Sequence, residues 1–244
     1  MWGSPSKNIQ QANDAIKALP KSDLYVLPEM FSTGFVSEPN GMAESENGES
    51  LAWMKLLAHE LDAAIAGSVA VSTANGYRNR FYFVKPDGGV TEYDKHHLFT
   101  FSGEHRLFTR GSDRKIVEWR GVRFLLNVCY DLRFPVWSRN RKDYDAAIYV
   151  ARWARVRQIP WETLLRARAI ENQCFVLGVN RVGNDPSLEY AGGTALIDPY
   201  GATVVGAEDG KEEVVVADLD LQLLEDFRVK IPGLEGADEF EIKK

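Results

Sequence analysis

Apolar residues recur along the chain at two spacings, and the spacings mark out its elements. Ile9, Ala12, Ile16 and Leu19 follow Ser4-Pro5, a cap and first-turn pair, at intervals of three and four until Pro20 ends the run, which predicts an amphipathic helix lying on a sheet. Leu24 to Leu27 reads as a short strand, broken by Pro28 and followed at once by Glu29, so a carboxylate stands at a strand tip. Residues 38–50, rich in Glu, Asn, Gly and Ser, read as a surface loop, after which Leu51, Met54, Ala58, Leu61 and Ile65 predict a second helix. From Ala63 the text changes to strands. A-A-I-A-G-S-V-A-V, the Asn75-Gly76 turn, N-R-F-Y-F-V as far as Pro86-Asp87-Gly88-Gly89, and V-T-E-Y-D-K predict hairpins. His96 to Gly111 has no clean period; a loop that long with Phe and Leu near its ends reads as packed and functional.

The run V-R-F-L-L-N-V-C-Y-D-L-R-F-P, Val122 to Pro135, is an apolar strand too short for a membrane span that ends on Cys129. Strand ends of this kind are where open α/β sheets keep their chemistry. A short helix over Pro135 to Arg141, a strand Y-D-A-A-I-Y-V-A, a helix opened by Pro160-Trp161-Glu162 and a buried strand over Cys174 to Val179 follow. The turn Asp198-Pro199-Tyr200-Gly201 joins two more strands, Val214 to Leu219 reads as the last, and Leu221 to Phe227 as a final helix. Strands alternating with helices, plus hairpins, give an α/β layered sandwich of mixed sheets. With no internal linker or repeat, residues 1–244 read as a single domain.

Composition narrows the partners. At 244 residues with 45% hydrophobic positions the chain has ample material for a core. A net charge of −6 argues against wholesale nucleic-acid binding. Two cysteines, Cys129 and Cys174, without C-x-x-C spacing suit a reducing compartment and disfavour a disulfide framework or a zinc site. No signal-peptide or membrane-length apolar run is seen, so the expectation is a cytoplasmic protein away from membranes.

Each chemically active residue also has a plain structural reading. Cys129 is a packing thiol or, given a base and a cation nearby, a nucleophile, because an ordinary thiol with a pKa of about 8.5 is mostly protonated at neutral pH. Glu29 is a solvated carboxylate or a catalytic one, and Lys95 a surface lysine or a catalytic one. His96 and His97, neighbours on an extended segment, point to opposite faces and read as loop packing rather than a metal chelate. Arg133 either grips a substrate carboxylate through its fork or pairs with Asp131. Arg139, Arg141 and Lys142 read as a solvated helix face, and Cys174 as core. Trp153 and Phe35 are pocket wall or packing.

Four words decide among these readings: P-E-M-F at 28–31, Y-D-K-H-H at 93–97, F-S-G-E-H at 101–105 and N-V-C-Y-D at 127–131. Together they resemble the carbon–nitrogen hydrolase, or nitrilase, superfamily, and A-R-A-I-E-N-Q at 167–173, N-R-V-G at 180–183 and G-G-T-A-L-I-D-P-Y-G at 192–201 extend the resemblance over nearly the whole chain. The resemblance implies a four-layer α-β-β-α sandwich of two mixed sheets flanked by helices. It implies a catalytic triad of Glu29, Lys95 and Cys129, with Glu104 as an additional glutamate. C-Y-D-L-R-F-P and P-E-M-F-S-T-G-F look most like the ω-amidase branch, which hydrolyses the side-chain amide of 2-oxo acids such as 2-oxoglutaramate. In that chemistry Cys129 attacks the amide to form a thioester, Glu29 is general base and then acid, and Lys95 with the Tyr130 N–H stabilises the oxyanion. Tyr130, Trp153 and Phe35 are then the candidate substrate-binding residues. No metal or organic cofactor is implied, and the partners are a small amide substrate and further copies of the chain, as a homodimer or larger assembly.

Two departures from the family pattern stand out. The chain begins almost directly on the first helix, so the family's first strand is expected to be missing, and Arg152-Trp153-Ala154 stands where the ω-amidase pattern reads Asn-Trp-Pro. Other readings are another branch, a carbamoyl-amine hydrolase or a nitrilase, and a catalytically silent binding protein of the same fold.

Overall fold

A computed structural model describes residues 3–34, 39–185 and 187–242. The chain forms two compact units, Met1–Lys115 and Ile116–Lys244. Among the described residues no helix is long and apolar enough to cross a membrane.

The first unit is built on β3 (Ala64–Thr73), whose first eight residues are all buried. Around it lie α1 (Pro5–Lys17), β1 (Leu24–Val26), β2 (Glu44–Ser45), α2 (Glu49–Leu61), β4 (Gly76–Val84) and β5 (Val90–Asp94). The sheet runs β1-β3-β4-β5, with β2 also on β3; β1 and β2 are parallel to β3, and β3, β4 and β5 are antiparallel neighbours. Ile65, Val69 and Val71 on one face of β3 pack with Ile16 of α1 and Leu51, Met54, Leu57 and Ala58 of α2. Period-2 burial on the strand thus meets period-3.6 burial on the helices. Ser4 precedes α1, but its side chain makes no cap bond. The second predicted helix stops earlier than its spacing suggested: Asp62 turns left-handed at φ 50°, and Ile65 belongs to β3. In the 96–111 loop two short 3₁₀ turns form, Thr100–Ser102 and Glu104–Arg106. Gly111 closes this loop against β5, where a Cβ would fall 2.1 Å from the Asp94 carbonyl oxygen, so no larger residue fits.

In the second unit the sheet order is β13-β12-β9-β8-β7-β6. Its strands are β6 (Ile116–Trp119), β7 (Val122–Val128), β8 (Ala146–Ala151), β9 (Phe175–Asn180), β12 (Ala195–Ile197) and β13 (Thr203–Gly206), and β10 (Val182–Asn184) with β11 (Glu189–Ala191) makes a separate hairpin. The central strands β7, β8 and β9 are parallel, which explains their unbroken apolar text, and the outer strands are antiparallel. Helix α4 (Gln158–Asn172) lays Trp161, Leu165 and Ala169 on Leu125, Ala147, Tyr149 and Val176. Gly178 allows that approach, since a Cβ there would meet Leu165 at 2.4 Å. Helix α3 spans only Pro135–Ser138 rather than reaching Arg141, because Arg139 leaves the helical region at ψ 125°. Its three cations are also tied down: Arg139 donates to the Glu171 carbonyl at 2.5 Å, Arg141 lies over Phe240, and Lys142 pairs with Glu235. Val214 to Leu219 is not a strand; no described neighbour pairs with it, and Val214 and Val216 stay 54% and 51% exposed. Alternation alone does not make a strand without a ladder to join.

Helix α5 (Leu221–Lys230) is pinned through Asp145, just before β8. Arg123 donates to its carboxylate at 2.9 and 2.8 Å, and Arg228 of α5 at 2.8 Å; Arg228 also donates to the carbonyls of Tyr144 and Gln173. Burial works to raise the Asp145 carboxyl, but these guanidinium bonds outweigh it and hold it below the ordinary carboxylate value. A lowered folded pKa gives stability that is present above the unfolded value near ~4 and is lost as pH falls through the folded value. Asp145→Asn is therefore expected to lower stability at neutral pH by about 2–4 kcal/mol. Urea midpoints against pH check this: the gap to wild type should close in acid, and a gap unchanged with pH contradicts the pairing.

Candidate active site

In the first unit the chain after β1 delivers Glu29. Met30 follows in the left-handed region at φ 49°, and its N–H donates to the hydroxyl of buried Ser68 at 3.0 Å, which fixes the turn. Lys95 follows β5, with its backbone N–H on the Asn79 carbonyl and its carbonyl accepting from Gly111 N–H. Glu104 opens the second 3₁₀ turn and accepts from Phe99 N–H at 2.6 Å.

These three side chains meet. The Lys95 ammonium lies 3.0 Å from Glu29 Oε1 and 3.1 and 2.9 Å from the two oxygens of Glu104. Lys95 is 2% exposed and the two glutamates 3% and 0%, so this is a buried cation between two buried anions. Such a group holds together only where its buried charges are paired and hydrogen-bonded. Asn79 adds further bonds, its Nδ2 donating to Glu29 Oε1 at 2.7 Å and to Glu104 Oε1 at 3.3 Å. The sequence does not mark Asn79, which opens the strand text N-R-F-Y-F-V as an ordinary polar position. With two carboxylates to one ammonium, the group can take up a proton on one carboxylate and keep an ion pair on the other. General acid–base work needs that capacity.

His96 and His97 do not point apart: the segment bends, and their rings meet edge to face at 4.5 Å, with His96 Nδ1 2.7 Å from the Gly111 carbonyl. Among the described residues no three His, Cys, Asp or Glu side chains gather as a metal site.

In the second unit β7 carries the thiol to its C-terminal tip. Cys129 is half-buried and sits in the left-handed region at φ 46°, as the first residue of a 3₁₀ turn, Cys129–Arg133. A non-glycine residue held there costs about 1–3 kcal/mol, which the surroundings must offset. Asp131 does part of this, its buried carboxylate accepting from Val128 N–H at 3.0 Å. That carboxylate faces inward, and the expected Asp131–Arg133 pair does not form. Arg133 instead lies over the Trp153 ring at 5.1 Å and has no carboxylate partner among the described residues. Trp153 is buried against Trp161 with its Nε1–H on the Arg157 carbonyl, which fixes the ring that Arg133 lies over. Tyr130 is half-buried, with its ring edge to face with Phe134. Phe35 lies outside the described residues. Cys174 is core, its thiol pushed up to about 12 by burial.

Arg152, at the departure from the family pattern, follows β8. It pairs with Asp185 at 2.5 Å and donates to the Tyr190 hydroxyl at 2.8 Å, which ties the β10–β11 hairpin to the end of the parallel strands.

The sequence of this α/β chain matches a known family. The carbon–nitrogen hydrolase model covers residues 1–229, and the chain belongs to that family. It is 44% identical to an ω-amidase of Yersinia enterocolitica over 98% of this chain and 94% of that protein. It is 38% identical to a 2-oxoglutaramate amidase of Bacillus subtilis over 95% of this chain and 91% of that one. A solved carbon–nitrogen hydrolase superfamily protein of Xanthomonas campestris, which carries an arsenic adduct in its active site, superposes with a TM-score of 0.97 at 42% identity, covering 99% of this chain and 95% of that one.

Proposed function

We propose that this protein is an ω-amidase: an amidohydrolase that cleaves the side-chain amide of a small 2-oxo acid such as 2-oxoglutaramate, releasing ammonia. The observation that carries the reading is the buried Lys95 bracketed by Glu29 and Glu104, together with the strained Cys129 tip, in a chain so close to named ω-amidases. Cys129 Sγ attacks the amide carbonyl carbon, and Glu29 accepts the thiol proton. The tetrahedral oxyanion takes its hydrogen bonds from Lys95 and the Tyr130 N–H. Collapse breaks the C–N bond, Glu29 returns the proton to the leaving nitrogen, and ammonia departs from a thioester. Glu29 then takes a proton from water, whose oxygen attacks the thioester and frees the acid.

Arg133 supports the choice of an acidic substrate. A guanidinium stacked on Trp153 without a carboxylate partner among the described residues, four residues after the nucleophile, keeps a planar fork for a carboxylate. Arg133→Ala is expected to raise KM for 2-oxoglutaramate about 10- to 100-fold, the loss of a charged hydrogen bond of about 1.5–3 kcal/mol. A neutral aliphatic amide should be nearly indifferent, and equal losses on both substrates would remove Arg133 from recognition. Ammonia release from 2-oxoglutaramate, an aliphatic nitrile and an N-carbamoyl amine tests the reaction class. Activity confined to either of the last two would overturn the ω-amidase reading.

We read the enzyme as cytoplasmic, in keeping with two cysteines that form no disulfide, and as a homo-oligomer. Exposed Ile170, Tyr200 and Val204 support an assembly that covers them, and light scattering gives its size.

A further inference from the structure

Of the buried polar atoms that lack a hydrogen-bond partner among the described residues, four belong to three residues of the second unit: both amide atoms of Asn127, the Tyr149 hydroxyl and Nε of Arg168. Asn127 and Tyr149 are completely buried, and Arg168 nearly so. They are neighbours. Asn127 on β7 stands in register with Tyr149 on the parallel β8, so their side chains leave the same face of the sheet, the face that α4 covers through Leu125, Tyr149 and Leu165. Burial raises the Tyr149 hydroxyl, while Ser138 and the Arg168 charge act to lower it. Arg168 reaches the same place from α4, with Nη2 donating to the Leu132 carbonyl at 2.5 Å and Nη1 to Glu171 at 2.8 Å.

Native interiors leave few polar atoms unmet, and several in one place mark an internal water. We propose that Asn127, Tyr149 and Arg168 form an internal water site behind the nucleophile turn, and that its water positions Cys129. A water accepts from Arg168 Nε–H and one Asn127 Nδ2–H and donates to Asn127 Oδ1 and the Tyr149 oxygen; a second water takes the other Asn127 N–H, and the tyrosine proton goes to that water or to Ser138. Asn127 lies two residues before Cys129, and Arg168 holds the Leu132 carbonyl inside the Cys129–Arg133 turn. The network therefore grips that turn from both ends. Asn127, Tyr149 and Arg168 are positioning residues; none is assigned contact with substrate. The inference rests on Cys129 being the nucleophile, but the site itself does not depend on which amide is cleaved.

The test has two parts. A crystal structure of the wild-type protein at a resolution that shows ordered solvent should hold water density within hydrogen-bond distance of Asn127 and Tyr149 Oη. Density filled by side chains, or none, overturns the site. Tyr149→Phe, Asn127→Leu and the double variant are then compared in kcat, KM and the rate at which iodoacetamide alkylates Cys129, read as intact mass; Cys174 is buried and does not compete. Each single variant should lower kcat and alkylation about tenfold, short of the ~100-fold that a 1 Å misplacement costs, with KM unchanged. The double should be no slower than the slower single, since both changes empty one shared site. Asn127→Leu that alkylates and turns over at the wild-type rate overturns the positioning role. Inactivity of the wild type on 2-oxoglutaramate with normal alkylation would count against the substrate reading and leave the water site standing on its density.

Discussion

Cys129→Ala is expected to lower ammonia release from 2-oxoglutaramate by on the order of 10⁴- to 10⁶-fold while the protein keeps its fold. The thiol is the atom that forms the thioester, so nothing else in the proposed reaction replaces it. Loss of a half-buried sulfur at a strand tip removes little packing, and Ala at φ 46° bears about the same backbone strain as Cys. Unfolding midpoints should therefore match wild type. Cys129→Ser should be nearly as slow, since a hydroxyl is a far weaker nucleophile than a thiol without a base tuned to it. Mass spectrometry of wild type quenched during turnover should show the acyl adduct on Cys129 and none on the variant. Residual activity of the variant within tenfold of wild type would remove Cys129 from the chemistry.

Lys95→Met should cost both rate and stability, and the two losses have different physical origins. Removing the ammonium leaves Glu29 and Glu104 buried without the Lys95 charge between them, a penalty of about 3–5 kcal/mol on folding. Removing an oxyanion donor costs about 100- to 1,000-fold in rate. Adding Glu104→Gln to Lys95→Met separates these effects. The second change removes one of the stranded charges, so stability should recover in part while the rate stays low. Chemical denaturation and ammonia assays on the single and double variants measure both quantities. If Lys95→Met is as stable as wild type, the buried ion-pair group is not what holds Glu29 and Glu104 in place.

How much of the site is legible in the sequence depends on how local its cause is. Glu29 at a strand tip and Cys129 at the end of an apolar run are visible because a strand's period and its breaker lie within a few residues of each other. Family wording adds Lys95 and Glu104, whose separation by nine positions and an aperiodic loop hides their contact from any pattern. Asn79 is invisible for the opposite reason. It occupies an ordinary strand position, and only the β3–β4–β5 register turns its amide toward two carboxylates.

The sequence by itself determined the alternation of elements, the mixed-sheet class with buried strands ending at Cys129 and Val179, and the residue types at the strand tips. Tertiary structure decided the rest. It turned Asp131 inward to its own backbone and Arg133 onto Trp153 rather than onto each other, stopped α2 at Asp62, and left Val214 to Leu219 without a strand to join. It also set Asn127 beside Tyr149. Periodicity records which face of an element is buried, because burial repeats with the element's own geometry. The partner a polar group finds once it is buried depends on which distant segment folds over it, and no local pattern carries that information.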